Sequence, residues 1–430
     1  MTAKDIYNLI REEGAGIATD SRKVKAGDIF FALRGDNFDG NKYAGDAIKA
    51  GAILALIDNP DYKSDSYILV DDVIETLQEI ARIHREGFDI PLLAITGSNG
   101  KTTTKELIAR VLECKYKVHY TRGNLNNHIG VPISLLDAGP DTELMIIEMG
   151  ANHIGEIAAL CGIARPTAGL ITNLGRAHLE GFGSFEGVIK AKSELYEYLE
   201  KSGGLIFYND SNSLLQSIAG KMNARSVPYS KPDKVLKQSS LVQEKYLKMG
   251  FIYDDRNYSI ESALAGVHNS ENILAALAVG LHYGVDLEDA IQAIEAYKPQ
   301  NNRSQILVTD SNTLLCDAYN ANPDSMSSAL SSFTESAREK KVIIVGDMLE
   351  LGNYAPEEHK AVVARLSSLQ DIDIYLVGRI FCKAAEGSGL KSYRDTELLI
   401  SDLKKNPIKD SFVLIKGSRA IGLERIYDYL

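Results

Sequence analysis

LLAITGSNGKTTTKELIARVLE, residues 92–113, holds the key to this chain. It contains Gly-Lys-Thr, the end of a phosphate-binding loop, but not the usual G-x-x-x-x-G-K-[ST] spacing. Ile95 stands five before Gly100, where that pattern has glycine, and the nearer glycine is Gly97. Leu92 to Ile95 is a short apolar run, which predicts a buried strand. Leu107, Ile108, Val111 and Leu112 recur at helical spacing. Strand, glycine turn and helix is the context such a loop needs. Two glycines let the backbone curl with successive N–H groups inward, and the helix start adds a partial positive charge. Lys101 is within reach of terminal phosphates, and the Thr102 hydroxyl suits Mg²⁺. The alternative is a plain turn with a solvated lysine. The flanking elements favour nucleotide binding.

The bulk properties bound the rest. At 430 residues the chain suggests roughly three domains of about 150 residues. The formal net charge is −11 and the pI about 5.4, which argues against nucleic acid or an anionic membrane as the main partner. Anionic ligands then depend on local groups. Cys114, Cys161, Cys316 and Cys382 are scattered, which suggests a reducing compartment and neither a zinc site nor a disulfide framework. Lys4, Asp5, Arg11, Glu12 and Glu13 give no signal-peptide pattern, and the most apolar helix candidate, 273–285, is too short to span a bilayer. The expectation is a cytoplasmic protein with no membrane insertion.

The organisation reads as α/β. Apolar strand candidates recur at 28–33, 52–57, 92–96, 144–150, 168–173, 204–209, 342–347, 374–378 and 411–417, many separated by helical patterns. That favours βαβ units and largely parallel sheets. Residues 85–91 and 297–305 read as linkers, and the polar stretch 229–248 as a loop or peripheral hairpin.

Further candidates lie beyond the loop. Glu148 ends an apolar strand just before a glycine, at the sheet edge where ligands bind, and suits Mg²⁺ as well as a plain surface acid. His178 follows another strand, where a lone histidine is commonly packing. Lys190 and Lys192 lie on a predicted helix and would ordinarily be solvated. Asn269 and Asn272 stand one helical turn apart, suited to capping or to a base edge. Asp317 ends an apolar run before an Asn/Pro turn, and its bland reading is turn chemistry.

Taken in order, TGSNGKTT, NNHIGVP, EMGANHIGEI, NLGRAHLEGFGS, KAKSE, HNSEN, NNRSQ, DAYNANPDSM, GDMLELG and KGSRA resemble the Mur ligases. The short phosphate loop looks like that family's own form. YNANPDSM and KGSR are similar to the branch that adds D-alanyl-D-alanine to UDP-N-acetylmuramoyl-tripeptide, and residues 19–43 to the family's UDP-sugar-binding domain. One departure is Asn41, where the family usually has His.

The resemblance implies three α/β domains: 1–88 for the UDP-substrate, a central phosphate-loop ATPase with a mostly parallel sheet at 89–299, and a Rossmann-like domain at 300–430. The last would close on ATP and bind the dipeptide. It implies ATP and two Mg²⁺ ions. Gly97, Ser98, Asn99, Gly100, Lys101, Thr102 and Thr103 would hold the phosphates, and Asn272 would lie near adenine. Arg303 and Asp317 would reach phosphate and ribose. Thr102 and Glu148 would bind the first Mg²⁺, and His178 and Lys192 the second. Ser21, Arg22, Asn126, Asn127, Asn320 and Asn322 would meet the substrates. Lys192 is implied to be carbamylated, placing an anion near the metal, and it rather than Lys190 lies two residues before Glu194 as the family motif requires. An unperturbed lysine is only about 0.04% neutral at pH 7, so capture by CO₂ needs a special site. A monomer is expected. The alternatives are another Mur-type or folylpolyglutamate-type ligase, and a nucleotide switch without ligation.

Overall fold

The computed structural model describes residues 1–35, 38–230, 236–243, 246–300, 302–336 and 340–430. The first part of the chain forms a four-stranded parallel sheet in the order Ile17–Ala18, Ile29–Phe31, Leu54–Ile57, Tyr67–Leu69. Alternate residues of one strand feed opposite faces. Ile29 and Phe31 pack with Ile6, Ile10, Leu56, Leu77 and Ile80, whereas Phe30 joins Ala44, Ala47, Ala55 and Ile57. Burial on both faces explains why this strand reads as a continuous apolar run.

Helix Val73–Glu86 starts at Asp72, whose carboxylate accepts from the Glu75 N–H at 2.8 Å. It runs into the segment expected as the first linker. The buried Arg85 donates to the backbone oxygens of Ala164, Phe88 and Ile90, so this segment is held in place by one guanidinium.

A six-stranded sheet follows in the order Arg225–Tyr229, Leu205–Asn209, Ala168–Ile171, Leu92–Thr96, Leu144–Glu148, Val118–Tyr120. The strand Leu92–Thr96 is wholly buried, and the helix Lys101–Leu112 follows after a turn of four residues, 97–100, as the sequence predicts. Segment 229–248 contributes to a three-stranded antiparallel sheet of Leu236–Gln243, Leu247–Tyr253 and Arg256–Glu261. Residues 231–235 and 244–245 of that segment, and Asn301 of the second expected linker, lie outside the described residues.

The C-terminal sheet runs Gln305–Val308, Asn312–Asp317, Ser411–Lys416, Lys341–Gly346, Ile372–Val377, Lys391–Tyr393. Only its first pair is antiparallel. The carboxyl ends of Asn312–Asp317, Ser411–Lys416 and Lys341–Gly346 therefore lie at one edge, where open parallel sheets bind ligands. DAYNANPDSM, KGSRA and GDMLELG all begin there.

Spatial proximity divides the chain into two units: residues 1–94, 117–150 and 156–168, and residues 95–116, 151–155 and 169–430. No helix among the described residues is long and apolar enough to cross a membrane.

Candidate active site

Gly97 and Gly100 both have positive φ, 144° and 78°. A Cβ on Gly97 would stand 2.0 Å from the Thr172 hydroxyl, and one on Gly100 would stand 2.8 Å from Oδ1 of Asn272. Any side chain at either position meets both strain and a clash. The loop is closed by Asn173, whose backbone oxygen accepts from the Ser98 N–H at 3.0 Å and whose Oδ1 accepts from the Asn99 N–H at 2.9 Å. Thr172 and Asn173 also donate to the Asn99 oxygen, at 2.6 and 3.0 Å. The Ser98 hydroxyl accepts from Gly175 N–H at 2.8 Å and donates to its oxygen at 2.9 Å. Nothing local signals the role of Asn173: an asparagine after a strand is common turn chemistry. With Ser98 and Asn99 engaged this way, the N–H groups left to meet an anion are those at the start of the helix at Lys101, whose first turn has no intrahelical acceptor by construction. Lys101 curls back, donating to the oxygens of Gly97 and Ser98 at 2.7 and 3.2 Å. Thr102 is buried and Thr103 half-buried in that first turn.

Asn272 lies beneath the loop. Its Oδ1 accepts from the Thr104 hydroxyl at 3.0 Å, and its Nδ2 donates to Asn269 Oδ1 at 2.8 Å. Both atoms of the amide are thus engaged in supporting the phosphate loop, a role that spacing alone did not indicate.

Lys192 and Lys190 separate cleanly: Lys192 is 2% exposed, whereas Lys190 faces solvent. The Lys192 ammonium lies 3.4 Å from the Ala151 oxygen and 5.2 Å from the Phe182 ring centroid. The His178 ring meets the same Phe182 edge-on at 6.4 Å. One aromatic ring thus brings together the two side chains expected at the second metal. His178 has φ 53°, and its Nδ1 lies 2.6 Å from Oε2 of Glu350, a residue the sequence reading did not single out. The His178 imidazole beside it holds the Glu350 carboxyl below the usual glutamate range.

Arg303 stacks on Tyr319, its guanidinium carbon 3.5 Å from the ring centroid. Asp317 accepts from Lys416 Nζ at 2.6 Å, and Lys416 also donates to the Asn320 oxygen at 3.3 Å. Asn320 Oδ1 accepts from the Ala321 N–H. Asn322 caps the helix Pro323–Glu335 by accepting from Ser325 N–H at 2.9 Å, and its Nδ2 donates to Asn99 Oδ1 at 2.7 Å. Asn322 therefore touches the phosphate loop directly.

In the other unit, Glu148 is 2% exposed at its strand end. Its Oε1 accepts from Asn126 Nδ2 at 2.8 Å and its N–H donates to the Thr121 hydroxyl. Asn127 accepts from the Ile129 and Gly130 N–H groups at the start of helix Gly130–Leu136. Ser21 and Arg22 lie in the turn Ser21–Lys23, with Arg22 forked onto Asp20 at 2.9 and 2.8 Å. That hydrogen-bonded guanidinium pulls the Asp20 carboxyl down to about 2. Asn41 is buried, donates to Asp39 and Asp58, and accepts from the Asp58 and Asn59 N–H groups. Its side-chain amide thus ties residues 39 and 58–59 together.

No three His, Cys, Asp or Glu side chains converge as a metal site among the described residues. Mg²⁺ carried by nucleotide phosphates needs only one or two protein ligands besides phosphates and waters. A hydroxyl in the first helical turn and the His178 imidazole in one unit, and a buried carboxylate at a strand end in the other, are each donors of the kind such an ion takes.

Three segments of the chain match family models in succession: "Mur ligase family, catalytic domain" at 14–93, "Mur ligase middle domain" at 95–280 and "Mur ligase, glutamate ligase domain" at 302–419. The chain belongs to the Mur ligase family. It is 35% identical, over 96% of its length and 92% of the relative's, to the UDP-N-acetylmuramoyl-tripeptide–D-alanyl-D-alanine ligase of Bacillus subtilis (strain 168). It is similar to MurF from Acinetobacter baumannii, with TM-score 0.86, 28% identity and 99% and 98% of the two chains covered. It is also similar to the MurF ligase from Thermotoga maritima in complex with ADP, with TM-score 0.85, 27% identity and 96% of each chain covered.

Proposed function

We propose that this chain is an ATP-dependent, ADP-forming amide ligase that joins D-alanyl-D-alanine to UDP-N-acetylmuramoyl-tripeptide in peptidoglycan precursor synthesis. The observation that carries this reading is the likeness to a ligase of that name over 96% of the chain, spanning all three family segments. The working assignment of domains is 1–88, 89–299 and 300–430, in the cytoplasm, where ATP and nucleotide-linked precursors occur, with one chain as the working unit.

The chemistry follows from the substrate. A carboxylate is a poor acyl donor because its leaving group would be oxide. Transfer of the ATP γ-phosphoryl group gives an acyl phosphate and ADP. The dipeptide amine then attacks the carbonyl carbon, phosphate leaves, and the amine loses a proton. Phosphoryl transfer demands positioning and charge neutralisation rather than a protein nucleophile. Lys101 would turn from the Gly97 and Ser98 oxygens to the β/γ-phosphates, beside the amides of the helix start. Thr102 and Glu148 would hold one Mg²⁺, and His178 and a carbamate on Lys192 a second. Bound Mg²⁺ supplies neutralisation of the phosphoryl oxygens. The burial of Lys192 against the ring that also meets His178, and the exposure of Lys190, support Lys192 as the modified residue. Asn126 orients the Glu148 carboxylate, Asn99 and Asn322 tie the phosphate loop to the helix Pro323–Glu335, and Arg303 and Asp317 would meet phosphate and ribose.

The test supplies ATP, Mg²⁺, D-alanyl-D-alanine and UDP-muramoyl-tripeptide carrying ¹⁸O in its terminal carboxylate. The expected products are ADP, the pentapeptide and phosphate with one labelled oxygen. AMP and pyrophosphate, or unlabelled phosphate, would overturn the acyl-phosphate route. No pentapeptide would overturn the substrate assignment.

A further inference from the structure

GDMLELG, residues 346–352, and KGSRA, residues 416–420, are motifs to which the reaction above gives little work. The structure folds them into one rigid support. Asp347 accepts from the Ile380 and Phe381 N–H groups at 3.0 and 2.8 Å. The Met348 N–H donates to Nε2 of the wholly buried His359 at 3.0 Å, and His359 Nδ1 faces the Ala355 oxygen at 2.7 Å. The Leu349 N–H donates to the Ser418 hydroxyl at 2.9 Å, and the Ser418 N–H donates to the Asp347 oxygen. Three successive residues are pinned, and the next is Glu350.

Glu350 has φ 64° and meets His178, whose φ is 53°. Two non-glycine residues in the left-handed region, touching each other, are an arrangement that persists only where surrounding structure enforces it. The enforcement is visible on both sides. The Glu180 N–H donates to the Glu350 oxygen at 3.2 Å, and the Tyr354 hydroxyl donates to the Gly183 oxygen at 3.3 Å. The Glu350 carboxylate is thus held within 2.6 Å of His178 Nδ1 by its own backbone and by the turn that carries the histidine.

We propose that Glu350 is the positioning residue of His178: its carboxylate takes the Nδ1–H, fixing the tautomer that leaves the Nε2 lone pair for the metal. This rests on the reading of His178 as a ligand. A ligating histidine ordinarily gives its other N–H to a carboxylate or carbonyl, which sets ring orientation and tautomer. His178 lies in the family's middle segment and Glu350 in its C-terminal one. The metal ligand is therefore made ready only while the 347–352 loop is docked, which couples docking to metal affinity in both directions.

The test uses the full chain labelled with ¹⁵N-histidine, the His178 signals being assigned by their loss in His178→Asn. Wild type is expected to show His178 protonated on Nδ1 with ADP bound, Glu350→Ala a tautomer mixture, and Glu350→Gln, which still offers an acceptor oxygen, the wild-type pattern. Mn²⁺ affinity with a non-hydrolysable ATP analogue, read by electron paramagnetic resonance, should fall roughly 10–100-fold in Glu350→Ala and recover in Glu350→Gln. Unchanged tautomer and Mn²⁺ affinity in Glu350→Ala would overturn the proposal, as would failure of Glu350→Gln to restore either. Ligation of D-alanyl-D-alanine by wild type is scored separately. Its failure with the tautomer and Mn²⁺ results as expected refutes the substrate reading alone, and its success with both unchanged in Glu350→Ala refutes the positioning role alone.

Discussion

Lys416 and Asp317 are partners in register at the carboxyl ends of adjacent parallel strands, and their side chains meet at 2.6 Å. Lys416 is 3% exposed and Asp317 20%, so the lysine is the member that water cannot rescue. The pair fixes the start of the turn carrying Tyr319, on which Arg303 stacks. Replacing Lys416 with Met should cost about 2–3 kcal/mol, below the figure for a fully buried pair because Asp317 retains some solvent. Asp317→Asn combined with Lys416→Met should cost less than the sum of the single changes, by urea unfolding. Strict additivity would mean that the two do not act as a pair.

Lys192 and Lys190 make a matched comparison on one helix. Lys192→Ala should lower ligation by roughly a hundredfold or more, as loss of a preorganised charge at a phosphoryl-transfer site does. Lys190→Ala should stay within about twofold of wild type, since a solvated surface charge contributes little. Short carboxylates added to Lys192→Ala should restore part of the loss. Equal rates for both variants in CO₂-free buffer would remove Lys192 from the metal site.

How much of this was legible follows from where the determinants lie. The strand–turn–helix at 92–112 and the placement of Glu148 at a strand end depend on local periodicity, which the sequence carries openly. Asn173 closing over the Ser98 and Asn99 amides, and Asn272 seated under Gly100, depend on which distant side chains the fold brings to the loop. Glu350 was hidden for the same reason: nothing within GDMLELG indicates a histidine partner in another segment. Asn41 was legible as a departure from family pattern, but its four hydrogen bonds become visible only with Asp58 and Asn59 in place.

Asn41 yields a stability prediction. Asn41→Ala would leave the Asp58 and Asn59 N–H groups without their acceptor in a buried setting, costing about 2–4 kcal/mol. Thermal unfolding followed by circular dichroism should show the loss. A change within experimental error would mean that water replaces the amide.

His359 gives a pH dependence with a defined sign. Burial lowers its imidazole below the ordinary 6.5. Between the folded and unfolded values the unfolded chain holds the extra proton, so stability rises with pH. The contribution is complete above 6.5 and is lost as pH falls through the folded value. Burial lowers His84, His119 and His268 in the same way, so the trend is shared. His359→Gln can still accept from Met348 N–H but cannot titrate. Its unfolding free energy should change less between about pH 7.5 and pH 5 than that of wild type, by up to about 1.4 kcal/mol per pH unit. Identical slopes would show that His359 takes up its proton equally in the folded and unfolded chains.

Asn322 serves two structures at once, the cap of helix Pro323–Glu335 and the contact with Asn99, and two substitutions separate them. Asn322→Ala removes both, so stability should fall by about 1 kcal/mol and ATP affinity should fall as the phosphate loop loses its tie. Asn322→Asp keeps the cap, because a carboxylate oxygen accepts from the Ser325 N–H as well as an amide oxygen does. It cannot donate to Asn99, and it sets a negative charge beside the loop proposed to hold phosphates. Its stability should remain within about 0.5 kcal/mol of wild type. Its ATP affinity should fall roughly tenfold at low salt and recover partly at high ionic strength, where the added charge is screened. Calorimetric titration with ATP at two salt concentrations reads this directly. Unchanged affinity for the Asp variant at low salt would mean that no phosphate approaches Asn99, and the assignment of residues 97–103 as the nucleotide loop would fail with it.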